Sequence, residues 1–411
     1  MDDAKVLIVS ADGHVAAPMR EYRSHIERRY LDAFDDYLDA YEQRRAGSRV
    51  TPPESFFDRG QIEPYVEYMV DTGAIDGESD VERRLKELGR EGVAAEVLFP
   101  NGVPFVHLVS ARPDPELHAA GNRAYNRWLA DFVAARPDQF VGQAIVQFDD
   151  VEAAIATVEW AHEHGLRGVI LPGVERDAAR VHWDPALDPL WSALEDTGLT
   201  ACVHGGAGSQ FLVPPAGVDP RIAYRFLGDE QAWNARRPLR MMMWSGVFER
   251  HPRLKTVWTE QHSEWVPRTL ARWDWSWAKD RELGSTILES VPRKPSEYWA
   301  QNCWVGLSLA SKAEVDERRA VGVDKLMFGV DFPHVESTFP KTLHTIQTLA
   351  VGVPDDELRA FLGLNAAALW DLDLDALAPI VDEVGFTMAE LRQAPPPDAP
   401  LNHDVHRPLG L

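Results

Sequence analysis

Cysteine is nearly absent from the 411-residue chain, Cys202 and Cys303 being its two examples. Both lie inside apolar, strand-like runs, so neither a disulfide framework nor a zinc–thiolate cluster is suggested, and buried free thiols are expected. Long apolar stretches are missing as well. No segment approaches the ~20 uninterrupted apolar residues of a membrane-spanning helix. The acidic opening "MDDAKVLIVS" lacks the basic start and the apolar length of a secretory leader, and a cytoplasmic protein is expected. Positive charge is the third scarcity. With 42 Lys and Arg against 65 Asp and Glu, the formal net charge of −23 repels a phosphate backbone and an anionic membrane surface. Nucleic acid and membrane are therefore poor partners, and a small-molecule substrate is the expectation.

What the chain does have is a 45% hydrophobic composition, enough for a large core, and a regular alternation. Short runs rich in Val, Ile, Leu and Phe occur at 5–11, 94–100, 140–148, 167–173, 200–206, 254–260, 303–309 and 325–331. Near-continuous apolar runs of this length suit parallel strands buried on both faces. Between several of them lie stretches with helical spacing, at 115–137, 151–165, 185–198 and 342–352. The first opens on Pro and acid, and the second ends on Gly165, placed to close a helix. Eight alternations argue for an α/β fold, a (β/α)8 TIM barrel; an open doubly wound sheet also alternates, so the count of eight makes the choice.

The intervals are unequal. Residues 1–392 are read as one barrel domain with insertions at 15–90, 207–245 and 268–300, candidate lids or subunit contacts on the catalytic face, and 393–411 as a Pro-rich tail. The third insertion carries the aromatic cluster "RWDWSWAKD".

In a barrel the C-terminal ends of the strands face the active site. The first run ends in "VSADGH", with Asp12 and His14 two positions apart and so on one side of a strand. The fifth ends in His204, the sixth in Glu260 with His262 two positions on, and the eighth in Asp331 with His334 three further. Imidazole and carboxylate are ligands for a borderline or hard divalent ion. Singly, each has a plainer explanation: a histidine before Gly-Gly closes a turn, and an Asp in "GVDFP" bonds backbone amides. Together, Asp12, His14, His204 and Asp331 are the candidate metal ligands. Zinc is the first expectation, with manganese and iron accepted by the same mixed shell; a second ion bridged by Glu260 stays open.

The stretches "VSADGHVAAP", "ALDPLWSALEDTGLTACVHGG", "GVFERHPRLKTVWTEQHSEWVPRTLARWD" and "VGVDKLMFGVDFPHVESTFP" resemble the amidohydrolase superfamily, in its amidohydrolase-related, aminocarboxymuconate-semialdehyde-decarboxylase-like branch. The resemblance implies a (β/α)8 barrel with a divalent metal on its open face, and a homodimer. It carries the family's first-strand pair onto Asp12 and His14, its fifth-strand histidine onto His204 and its eighth-strand aspartate onto Asp331. The usual first-strand pair is two histidines; Asp12 replaces one and lowers the charge of the ion, which makes bound water less acidic. Decarboxylases of the group commonly place a histidine where this chain has Glu260. The fourth strand ends "VILPG", without the lysine that bridges two metals in many members.

Two reactions follow. In hydrolysis of an amide, ester, lactone or thioester, the first reading, Asp331 takes a proton from metal-bound water and His262 or Glu260 assists. The alternative is non-oxidative decarboxylation of an aromatic or unsaturated acid, for which Arg221, Arg225, Arg236 and Arg237 offer positive charge and Trp244 with the tryptophans at 273–277 a dry aromatic wall. His334, Arg225 and Trp244 are the candidate substrate contacts. A non-catalytic binding barrel is the third reading.

Overall fold

The computed structural model describes residues 4–45, 59–105, 114–174, 180–205, 218–219, 222, 226, 233 and 235–395. Its strands are β1 (Val9–Ser10), β2 (His14–Val15), β3 (Ala95–Pro100), β4 (Phe140–Ile145), β5 (Gly168–Ile170), β6 (Thr200–His204), β7 (Thr256–Thr259), β8 (Cys303–Ser308) and β9 (Leu326–Gly329). Every pairing is parallel, in the order β1-β3-β4-β5-β6-β7-β8-β9, with β2 also on β3. β1 and β2 are thus two pieces of one strand position, interrupted over residues 11–13. Backbone bonds join this position to the last strand: Ala11 donates to Phe328 at 2.7 Å, Asp331 to Asp12 at 2.9 Å and His14 to Phe332 at 2.7 Å. Eight strand positions therefore form the wall of a (β/α)8 barrel, one for each apolar run of the sequence.

The runs are readable because both faces of each strand are covered. Val9, Ala11, Val97, Phe99, Val141, Cys202, Val257 and Met327 belong to one buried cluster with Ala366, Leu369, Trp370 and Leu372. Trp370 donates through its indole to Thr200 Oγ1 at 2.9 Å, at the start of β6, so this C-terminal segment plugs the N-terminal end of the barrel. Only the opposite end is left for a site. Both cysteines are free and buried, with burial pushing each thiol up to about 12.

Local signals start and stop the outer helices. Asp114 accepts from the amides of Glu116 and Leu117 ahead of Pro115–Ala134, and Asp150 caps Val151–Glu163. Gly198, in the left-handed region at φ 72°, ends Asp188–Thr197.

Parts of the expected insertions belong to the barrel itself. Helix Val81–Arg90, inside the 15–90 segment, leads directly into β3 and is the return helix of the first barrel unit. Helix Arg237–Trp244, followed by Val247–Arg250, lies between β6 and β7, and Trp265–Leu283 with Pro295–Asn302 between β7 and β8. The aromatic cluster that suggested a lid is packing: Trp273 and Trp277 are buried, and the Trp277 indole donates to Val291 O at 3.0 Å. Trp275 is exposed. Most of the expected tail, from 396 on, lies outside the described residues. Among the described residues no helix is long and apolar enough to cross a membrane.

Candidate active site at the C-terminal ends of the strands

The interruption between β1 and β2 has a cause beneath it. A Cβ on Gly13 would stand 2.1 Å from Glu96 Oε1 and 2.8 Å from Arg84 Nη2, so only a hydrogen fits there. Arg84 and Glu96 are both fully buried and paired, Nε to Oε2 at 2.7 Å. Burial pushes the Glu96 carboxyl up to about 7, against the pull of Arg84. Arg84 Nη1 also donates to the carbonyls of His14 (2.8 Å) and Gly77 (3.2 Å), and Nη2 to that of Phe332 (3.4 Å). One guanidinium therefore ties the chain that carries His14 to the chain between Asp331 and His334.

Above this pair six side chains converge. Asp12 Oδ1 lies 3.2 Å from His204 Nε2 and 3.5 Å from His14 Nε2. Asp331 Oδ1 lies 3.2 Å from His14 Nε2 and 2.9 Å from His334 Nδ1. Glu260 Oε2 lies 3.2 Å from His204 Nδ1. The His14 ring stacks on His334 with centroids 4.1 Å apart and meets His204 edge-on at 5.0 Å. Ser308, at the end of β8, donates to Asp12 Oδ2. Three successive strand positions end in left-handed residues other than glycine: Glu260 (φ 56°) after β7, Leu309 (φ 56°) after β8 and Asp331 (φ 65°) after β9. Such a conformation costs on the order of 1–3 kcal/mol and gathers where side chains must be aimed.

Burial prevails at His14 and Glu260, and neighbours overcome it at His204, His334 and Asp331. Burial, with His334 beside it, lowers His14. Against burial, Asp12 and Glu260 lift His204 up to about 9, and Asp331 lifts His334 up to about 10. Burial also works against Asp331, but His334 and His14 outweigh it and hold the carboxyl well below the usual range. Glu260 is pushed up to about 8 by burial, with His204 opposing and Asp331 and Asp12 adding to the shift.

Several of these atoms have no hydrogen-bond partner: His14 Nε2, both oxygens of Asp331 and His334 Nδ1. A fully buried carboxylate whose oxygens make no well-aligned hydrogen bond gains from a cation beside the two imidazoles. Asp12, His14 and His204 offer donor atoms all within 4.8 Å of one another, as do His14, Asp331 and His334. Carboxylate and imidazole donors in this mixture fit a divalent first-row ion.

The structure thus gathers Asp12, His14, His204, Asp331, Glu260 and His334. His262 is not with them. The same-side rule holds only while the strand continues, and Glu260 and His262 both have φ of 56°, so the chain has already turned. The half-exposed His262 side chain reaches Glu314 instead, Nδ1 to Oε2 at 3.5 Å, which raises its pKa. Trp244 is displaced too: it packs on Trp273 at 6.2 Å and lines an outer cavity with Trp183, Arg237, Arg240 and Met241. Arg236 donates to Gln261 O at 2.7 Å and covers the Trp265 ring. Arg221 and Arg225 lie outside the described residues. Sequence reasoning missed Ser308, the next-to-last residue of its run; Asn101, whose Oδ1 is 3.3 Å from His334 Nε2; and Glu336, two positions past His334 and grouped with it, Glu260 and Asp331.

A family model described as amidohydrolase matches residues 76–372. The gamma-resorcylate decarboxylase of Rhodococcus jostii is 26% identical over 309 residues, covering 71% of this chain and 87% of that protein. An amidohydrolase from Mycobacterium avium subsp. paratuberculosis shares the fold at a TM-score of 0.66 and 20% identity, over 90% of this chain and all of that one. So does the 5-carboxyvanillate decarboxylase of Novosphingobium aromaticivorans, solved with manganese and 4-hydroxy-3-methoxy-5-nitrobenzoic acid, at a TM-score of 0.63 and 18% identity over 89% and 96% of the two chains.

Proposed function

The chain belongs to the amidohydrolase family, in the amidohydrolase-related, aminocarboxymuconate-semialdehyde-decarboxylase-like branch, and on that premise we propose that it is a divalent-metal-dependent, non-oxidative decarboxylase of an aromatic or unsaturated carboxylic acid. Of the two reactions the sequence leaves open, the likeness to a gamma-resorcylate decarboxylase favours this one over hydrolysis. The observation that carries the reading is the buried group of acids and imidazoles, in which Asp331 is faced by the rings of His14 and His334 and by no lysine or arginine among the described residues.

Asp12, His14, His204 and Asp331 would hold the ion. When bound, it supplies a Lewis acid for the substrate carboxylate and a neighbouring oxygen. Manganese, present in two structural neighbours, deserves trial beside zinc. The side chains of Glu260 and His334 are each 26% exposed, whereas Asp12 and Asp331 are fully buried, so these two meet an incoming substrate first. Glu260 would give the proton from its carboxyl to the carbon as the bond to carbon dioxide breaks, and recover one from solvent. Phe99, 4.6 Å from the His204 ring, is an apolar wall at the base.

The test is to strip the protein with chelator and reload it with manganese or zinc. Release of carbon dioxide and the decarboxylated product are then followed over a panel of hydroxybenzoates, beside a panel of esters and lactones. Metal-dependent loss of carbon dioxide is expected. Turnover of the acyl panel alone would restore the hydrolytic reading, and turnover of neither panel would sink both.

A further inference from the structure

Glu260 leaves β7 in the left-handed region, and His262 two positions on repeats it, both at φ 56°. Two such residues in three, neither of them glycine, persist only where the surroundings hold them. Contacts with β6, β8 and the next helix hold the start of this turn. Glu260 N donates to Gly306 O at 3.1 Å, and the fully buried Gln261 donates from Nε2 to Val203 O at 2.8 Å. Arg236 and the Trp265 indole both donate to Gln261 O, at 2.7 and 3.0 Å. The far end is held from the segment after β8. Glu314, 2% exposed, accepts from Ser263 N at 2.7 Å through Oε1 and from Ser311 N at 2.9 Å through Oε2. Its Oε2 also lies 3.5 Å from His262 Nδ1. Ser311 completes a capping box for helix Lys312–Asp316, its Oγ accepting from Glu314 N at 3.2 Å. Burial works against the Glu314 carboxylate, but His262 and the amides of Ser311 and Ser263 hold it below the usual range. One ionised side chain therefore joins the segment after β8 to the turn after β7.

We propose that Glu314 is a positioning residue for the decarboxylation: it closes the 260–263 turn and so aims the Glu260 carboxyl into the barrel mouth. The inference rests on the reaction proposed above, with Glu260 as the proton donor. The aim is narrow. Glu260 Oε2 stands 3.2 Å from His204 Nδ1, and a Cβ on Gly205 would come within 2.7 Å of that oxygen and 2.4 Å of Glu260 O. A proton reaches carbon only from a donor within hydrogen-bond reach, and a misplacement of about 1 Å costs on the order of 100-fold in rate. Glu314 touches none of the reacting atoms and works through the backbone. Without its carboxylate the amide of the fully buried Ser263 loses its acceptor, and the left-handed pair loses one of the contacts that hold it.

The experiment is a double-mutant cycle on manganese-loaded, full-length protein, with Glu314→Gln, Glu260→Gln and the two combined, assayed on the hydroxybenzoate that the parent decarboxylates fastest. Glutamine fills the same volume but offers a single acceptor, so it cannot serve both amides. Glu314→Gln should lower kcat roughly 10- to 100-fold, with KM and metal content unchanged. In the Glu260→Gln background it should add nothing. Amide hydrogen exchange over residues 260–264, read by mass spectrometry, should quicken. Glu314→Asp, which keeps the charge but shortens the reach, should give the same pattern at smaller size, and it carries the test if the glutamine variant does not fold. An unchanged kcat in both Glu314 variants, or a loss that multiplies with that of Glu260→Gln, would overturn the proposal. Quickened exchange in a protein that decarboxylates nothing would support the clamp while sinking the reaction. Decarboxylation by the parent, with neither kcat nor exchange altered by the Glu314 variants, would do the reverse.

Discussion

At the barrel mouth His204 lies 3.2 Å from Asp12 and 3.2 Å from Glu260; in the loop leading into β7, His251 lies 3.5 Å from Asp188 and 3.4 Å from Glu195. On distance alone the two groups are alike. They differ in what serves the carboxylates. Against burial, Arg250 takes both oxygens of Asp188, at 2.9 and 2.8 Å, and with His251 holds that carboxyl below its usual range. The backbone amide of Arg253 reaches Glu195 at 2.6 Å. At the mouth no arginine or lysine of the described residues plays that part, and Asp331 is faced by the rings of His14 and His334 instead. The His251 group fastens a helix to a loop. For cationic partners the mouth offers its carboxylates imidazoles alone, and that, more than the closeness of acid and imidazole, marks it as the site.

The comparison breaks most visibly at His204. His204→Ala should remove the bound ion and lower activity by more than ~100-fold, the upper range for residues that merely support a metal ligand. Elemental analysis and a decarboxylation assay on the same preparation check this, and full metal content in the variant would erase the distinction. A third histidine sharpens it from the other side. His182 is fully buried, packs against Phe148 at 4.9 Å, has no partner for either nitrogen, and is pushed down to about 3 by burial alone. Its folded pKa is below the unfolded value of about 6.5, so the unfolded chain binds the extra proton. The resulting stability is complete above pH 6.5 and falls toward pH 3, by up to about 1.4 kcal/mol per pH unit. His182→Phe should flatten that slope in urea melts at pH 7, 5 and 4; an unaltered slope would contradict it. The smallest effect is expected for His251→Ala, a loss of about 1 kcal/mol with metal content intact. A lost ion there would mean that both groups are metal sites.

Much of this was legible in the linear chain, for specific reasons. Strands buried on both faces leave apolar runs, so all eight strand positions stand out, and strand ends can be inspected for ligands without coordinates. That inspection finds Asp12, His14, His204, Glu260 and Asp331. It misplaces His262, because the same-side rule assumes that the strand continues past Glu260, and the left-handed backbone there ends it. It takes the tryptophans of 273–277 for a lid, because a bulky side chain reads alike whether it fills a gap between outer helices or lines a pocket. It passes over Glu336, which follows a turn whose course cannot be read from spacing.

The sequence by itself determined the alternating fold, the acidic character and the kinds of donor at the strand ends, because these depend on composition and on local periodicity. Only the tertiary structure decided which acids have a partner. Asp188 meets Arg250 across 62 positions and Asp12 meets His204 across 192, and no local pattern carries that information. Gly13 shows the same division: the glycine is plain in "VSADGH", but its reason is the buried Arg84–Glu96 pair, brought beneath it by the closing of the barrel. Charge balance in a buried site is a sum over distant residues, so it exists only once the chain has folded.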